Sequence, residues 1–168
     1  MSSRKLNNIF GQERSERNTT MFHLIAEEGL DNILDRIWNA TRKKELEQIL
    51  KLKNDDGETC LHTAVKKLKG SEAERIMAQL FDMGANLDAQ EDGTGDTVLH
   101  LAVKRQDYVL MDWLLSMRID KNIRNNSGLT AYQVAKQNND YKMMKMILSE
   151  NENVAECLVN ELKSISLL

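Results

Sequence analysis

Imidazole and thiol groups are the usual starting points for general-base, nucleophilic or metal-binding chemistry. This 168-residue chain has few of them: His23, His62, His100, Cys60 and Cys157. Each histidine lies three residues after a threonine, Thr20, Thr59 or Thr97. Their placement follows a recurring phrase, which spreads them along the chain instead of gathering them into a catalytic or metal-ligating set. The two cysteines are far apart in sequence and make neither a disulfide framework nor a metal-ligand pair. Cys157 has no histidine near it in sequence, which argues against a nucleophile there. No Gly-x-x-x-x-Gly-Lys phosphate loop occurs, and Gly93-Thr94-Gly95 is too short a match and lacks the lysine. The reading is of a non-enzyme with no catalytic residue, no cofactor and no metal site.

The phrase that carries the histidines is the main structural signal. It reads Gly57-Glu58-Thr59-Cys60-Leu61-His62, then Gly95-Asp96-Thr97-Val98-Leu99-His100. A looser copy is Gly128-Leu129-Thr130-Ala131-Tyr132-Gln133, and a degenerate one is Thr20-Met21-Phe22-His23. The threonines are separated by 39, 38 and 33 residues, a range that announces stacked repeats. Such stacks present surfaces to partners and seldom form catalytic clefts.

Each unit holds two short helical patterns. After Thr97, Leu99, Ala102 and Val103 share one helical face, and Leu110, Trp113 and Leu114 share the next. The same design gives Phe22, Ile25, Ala26 then Leu34, Ile37, Trp38; Leu61, Ala64, Val65 then Met77, Leu80, Phe81; and Ala131, Val134, Ala135 then Met144, Ile147, Leu148. Trp38 and Trp113 are expected to pack in the core. Residues 43–50 predict an additional helical turn. The polar stretches 53–57, 90–95 and 124–128 predict protruding fingers, because Gly and Asn tolerate tight turns. The expected architecture is all-α: a solenoid of about four helix-turn-helix units with fingers and a C-terminal capping helix. Its expected layout is a lead-in over 1–18, repeats over 19–150 (units about 19–56, 57–94, 95–127 and 128–150) and an amphipathic tail helix over 151–168. That tail either caps the stack or makes a homodimer.

Composition narrows the partners. The formal net charge is -3, from 23 basic and 26 acidic residues, so no single-sign excess points to direct nucleic-acid or membrane binding. Arg42-Lys43-Lys44 is cut short by Glu45 and reads as a solvated helix face. No apolar run approaches the roughly 18 residues of a membrane span, and no signal peptide is visible. An intracellular, reducing compartment is expected. Proline is absent, and Cys60 and Val98 stand where repeat phrases of the Thr-x-Leu-His kind often carry it, which predicts looser helix starts.

The phrases resemble ankyrin repeats over about residues 19–150. A narrower likeness lies in residues 87–103, where Leu87-Asp88-Ala89-Gln90 runs through two additional finger residues into Thr97-Val98-Leu99-His100; this resembles the extended finger of the IκB family. Residues 46–62 and the phrase Gly128-Leu129-Thr130-Ala131-Tyr132-Gln133-Val134 also resemble IκB segments. The chain is similar to the central and late repeats of an IκB, without the first two repeats, an Asp-Ser-Gly-x-x-Ser phosphodegron or a Pro/Glu/Ser/Thr-rich tail. This shape resembles the viral ankyrin proteins of parasitoid-wasp polydnaviruses, the vankyrins.

The resemblance implies an inhibitor that binds host Rel/NF-κB proteins of the Dorsal or Relish class and silences immune genes without signal-triggered destruction. It implies residence in the host cytoplasm, with the nucleus also open. In the family's architecture, fingers and first-helix ends form the contact face. The residues expected there are Gln90, Glu91, Asp92 and Thr94, then Lys104, Arg105 and Gln106, then Arg124, Asn125 and Asn126. For each, an ordinary solvated turn is the alternative. For the whole chain, the alternative is a generic ankyrin adaptor with another protein partner.

Overall fold

The computed structural model describes residues 18–40 and 43–149. The tail helix expected over 151–168 and nearly all of the lead-in lie outside the described residues. Those described form nine helices and no strands: α1 (Met21–Glu28), α2 (Asp31–Ala40), α3 (Lys43–Leu50), α4 (Cys60–Lys67), α5 (Gly70–Asp82), α6 (Val98–Lys104), α7 (Tyr108–Ser116), α8 (Ala131–Gln137) and α9 (Tyr141–Leu148).

The helices pack as two layers. α1, α4, α6 and α8 stack in succession as the inner layer, and α2, α5, α7 and α9 stack behind them. Close stacking of the inner helices needs a small side chain at each crossing. Ala26, Ala64, Ala102 and Ala135 supply it, all with no exposed surface. The apolar stripes meet between the layers, where Phe22, Leu61, Leu99, Leu110 and Leu114 are buried. Cys60 and Val98, each 1 % exposed, open their helices inside this core, and Thr59 and Thr97 close a capping box at both starts.

A left-handed residue turns the chain from inner to outer helix in three units: Gly29 (φ 67°), Gln106 (φ 54°) and Asn139 (φ 54°). Asp107 and Asp140 then cap α7 and α9 by accepting from Leu110 N (3.1 Å) and Met143 N (3.0 Å). The second unit instead passes through the extended Leu68 and Lys69, and its left-handed residue, Gly70 (φ 60°), opens α5. The third unit holds that connection: Arg105 donates to the carbonyls of Lys66 and Leu68, and Asp107 Oδ2 accepts from Gly70 N at 2.7 Å. Residues 43–50 form a two-turn helix rather than a single added turn, anchored by the buried Leu46 and Leu50.

Two aromatic expectations need correction. Trp38 is 41 % exposed and Phe81 39 % exposed, while Trp113 is half-buried against the core. The helical stripe is about three residues per two turns wide, and these rings fall on its edge. Counted from the motif threonines, Trp38 also aligns with the buried Leu115 and not with Trp113.

Candidate protein-binding face

Each of the three histidines makes a joint between units. The backbone N–H of Thr20, Thr59 or Thr97 donates to the Nδ1 of its histidine at 3.3 Å, and the threonine Oγ1 lies 2.7, 2.8 and 2.9 Å from the same nitrogen. A backbone N–H can only donate, so Nδ1 is an acceptor and the proton sits on Nε2. That Nε2–H donates across the stack to the carbonyl of Glu58 (2.9 Å), Asp96 (3.1 Å) or Leu129 (3.0 Å), the residue just before the next motif threonine. Burial lowers all three imidazoles below the ordinary value of 6.5, and the carbonyl acceptors only partly oppose it. These are neutral structural groups, unsuited to acid–base work in the folded protein. Burial likewise pushes the Cys60 thiol up to about 12, so it is not a thiolate nucleophile. No group of three or more potential metal ligands is present among the described residues.

The joints fix where the fingers emerge. Each finger closes on itself: Asn54 N donates to Glu58 O (2.9 Å), Glu91 N to Asp96 O (3.0 Å) and Asn125 N to Leu129 O (2.9 Å). By this closing bond the middle finger is one residue longer than its neighbours, not two. The fingers are also tied to each other through main chain. Asp92 N donates to Gly57 O at 3.1 Å, and Asn126 N to Thr94 O at 2.9 Å. This approach requires glycine at two places. A Cβ on Gly57 (φ 73°) would stand 2.5 Å from Asp92 Cβ, and one on Gly95 (φ 69°) 2.8 Å from the backbone nitrogen of Asn126.

Under the fingers runs an ionic network. Lys66 Nζ lies 2.7 Å from Glu58 Oε1 and 2.5 Å from Glu91 Oε2, and Lys104 pairs with Asp96. Burial alone would raise Glu91, but hydrogen bonds from Lys66 and Thr94 outweigh it and hold the carboxyl below its usual range. Asp96 behaves alike: burial raises it, while bonds from Lys104, Thr94 and Asn125 bring it down. Lys66 is opposed by burial yet raised overall by Glu58 and Glu91. Lys66 and Asp96 were not among the expected site residues. Their signal was present in the phrase itself, since an acid precedes the motif threonine and a lysine follows it by seven residues in both units.

The structure separates the expected contact residues into two groups. Glu91, 5 % exposed, and Asn125, 8 % exposed, turn inward. Asn125 donates to Asp96 Oδ1 at 2.9 Å and accepts from Ser127 N and Leu129 N, so it shapes its finger from inside. Arg105 is half-buried and reaches back to the α4 terminus. Gln90, Asp92, Thr94, Lys104, Gln106, Arg124 and Asn126 are exposed. Gln90 bridges two fingers by donating to Gly95 O (2.7 Å) and Arg124 O (2.9 Å). Asp92 is paired with Lys53 at 2.5 Å, and Arg124 donates to Gly128 O at 2.7 Å. Asn126 donates to Gly93 O at 3.1 Å. Gln90, Asp92, Thr94, Arg124 and Asn126 therefore sit on one continuous row of fingers held in a fixed order, a surface fit for protein contact, while Lys104 and Gln106 lie at the end of α6 and in the turn after it.

Comparison with known proteins places this architecture. Residues 67–158 match the family described as Ankyrin repeats (3 copies). The chain is 36 % identical over 141 residues to the I-kappa-B like protein N2 of Microplitis demolitor bracovirus (isolate Webb), covering 80 % of this chain and 76 % of that protein. It is also 36 % identical over 92 residues to the I-Kappa-B like protein F1 of the same virus, covering 54 % of this chain and 56 % of that one. Among solved structures, the ankyrin repeat domain of Bcl-3, described as a unique member of the IkappaB protein family, superposes with a TM-score of 0.71 at 24 % identity. It covers 80 % of this chain and 57 % of that one, and establishes likeness of fold. With its stacked Thr–His units and relatives of this closeness, the chain belongs to the I-kappa-B like ankyrin-repeat family of polydnaviruses, the vankyrins.

Proposed function

We propose that this protein binds host Rel/NF-κB transcription factors, of the Dorsal or Relish class, and suppresses immune signalling by holding them off DNA. The observation that carries the reading is the ordered finger row, bonded finger to finger through main chain in a chain whose relatives are named I-kappa-B like. A pre-ordered surface binds without a large ordering penalty, which supports a tight complex with a folded partner. The contact set is Gln90, Asp92, Thr94, Lys104, Gln106, Arg124 and Asn126. Glu91 and Asn125 support it from beneath, and Arg105 holds the preceding unit. The complex forms in the cytoplasm or the nucleus of the host cell; no described helix is long and apolar enough to cross a membrane.

The test is a pull-down with purified insect Rel homology domains. Wild type is compared with the combined variant Asp92→Ala, Arg124→Ala, Asn126→Ala, its helical signal being checked in parallel. Wild-type binding that weakens at least tenfold in the variant, about 1.4 kcal/mol, supports the reading. If wild type binds no Rel domain, the reading fails and a generic ankyrin adaptor remains.

A further inference from the structure

The outer layer, away from the fingers, carries a groove between α2 and α5 of about 430 Å³, lined by Leu34, Asp35, Trp38, Gln79, Asp82 and Met83. Its apolar lining is Leu34 and Met83, each 1 % exposed, and the exposed Trp38 forms a wall. Two acidic residues, Asp35 and Asp82, line the groove together with the ring. Gln79 donates its amide to Asp35 Oδ1 at 3.0 Å, while its own Oε1 is buried with no donor among the described residues. The groove thus collects acceptors: two carboxylates, an orphaned amide oxygen and an indole face. No ion pair to Asp35 or Asp82 is present among the described residues.

A second outer groove shows how such ingredients are completed. It is lined by Glu74, Asp112, Trp113 and Tyr108, and it holds a cation of its own, with Lys142 Nζ 4.2 Å from the Tyr108 ring centroid. The α2–α5 groove has the ring and the acids without the described cation. An aromatic face beside carboxylates attracts a flat or compact cation, and an orphaned acceptor adds the demand for an N–H donor. We propose that the α2–α5 groove is a docking site, separate from the finger face, for an arginine or lysine side chain on an exposed segment of a partner protein. The aliphatic stem of that side chain would cover Leu34 and Met83, and its head would lie between Trp38 and the two aspartates. The proposal does not rest on the Rel reading and stands or falls apart from it.

The test uses the full chain labelled with ¹⁵N, following the indole N–H signals of its two tryptophans, assigned with Trp38→Phe. The probes are N-acetyl-arginine amide and the uncharged N-acetyl-citrulline amide. The expected result is a saturable shift of the Trp38 signal with the arginine probe alone, the Trp113 signal staying in place. In the combined variant Asp35→Asn, Asp82→Asn, with unchanged helical signal, the affinity should fall about tenfold or more. No saturable shift, equal movement of both indoles, or a shift indifferent to the two substitutions overturns the proposal. Arg42 follows Trp38 by four residues and lies outside the described residues. If the probe binds only after Arg42→Ala, the chain fills its own groove, and the partner assignment is overturned as well.

Discussion

A histidine that accepts on one nitrogen and donates with the other has no room for a second proton. Protonating Nδ1 would set an N–H against the threonine N–H and break the cap. The folded state therefore holds fewer protons than the unfolded chain once pH falls below the ordinary histidine value of 6.5. By linkage, stability is full above that value and declines as pH drops from it toward the lowered folded values. All three histidines are lowered, so their contributions to that decline add in the same direction. Glu91 and Asp96 are depressed, so their contribution is present above their unfolded values of 4.5 and 3.8 and is lost as pH falls through the lower folded values. Urea titrations between pH 7.5 and 5 are expected to show the first loss before any carboxylate effect. Cys60 gives a second residue-level prediction: its alkylation by iodoacetamide at pH 8, read by peptide mass spectrometry, should appear only as urea unfolds the chain. The sequence shows that these histidines are structural, because they travel with the motif threonine. It does not show which carbonyl each one reaches, because that partner lies 29 to 35 residues away and depends on how units stack.

At the scale of the element, the fingers separate residues that look alike in sequence. Glu91 and Asp92 are adjacent acids, yet one is buried on Lys66 and Thr94 and the other lies in an exposed pair with Lys53. Glu91→Ala should destabilise by about 1–3 kcal/mol, the range for stranding buried partners. Asp92→Ala should stay within about 0.5 kcal/mol, as exposed ion pairs do. Thermal unfolding of the two variants checks the contrast. Gly95→Ala should cost at least about 1–2 kcal/mol, because its left-handed backbone and the nearby Asn126 nitrogen both oppose a Cβ. Leu99→Ala, at 3 % exposure, should cost about 2–5 kcal/mol by opening a cavity, which would remove binding through unfolding. The helical stripes were legible because a 3.6-residue period is a local property. Which finger residue turns inward was not, since Asn125 and Asn126 differ only by the direction a turn gives them.

For the whole molecule, stability is a sum of units and the joints between them. His62 links the second unit to the third, so His62→Ala should lower stability by about 1–3 kcal/mol and also broaden the urea transition as the halves uncouple. A loss of stability with an unchanged slope would show that helix packing alone keeps the stack cooperative. The two-layer arrangement also gives the protein two separate faces, with fingers in front and grooves behind. Only the first was legible from the repeats. The groove beside Trp38 depends on a ring that the helical period assigns to the core and that packing leaves at its edge.

The joints recognise only main chain. Glu58, Asp96 and Leu129 offer the same carbonyl to the preceding histidine, although their side chains are two acids and an aliphatic. At these joints the architecture is insulated from the side chain that precedes the motif threonine. The side chain at that position can change without losing the joint, whereas Gln90, Asn125 and Asn126 still tie neighbouring fingers through theirs. A change of chemistry at such a position therefore leaves the frame standing.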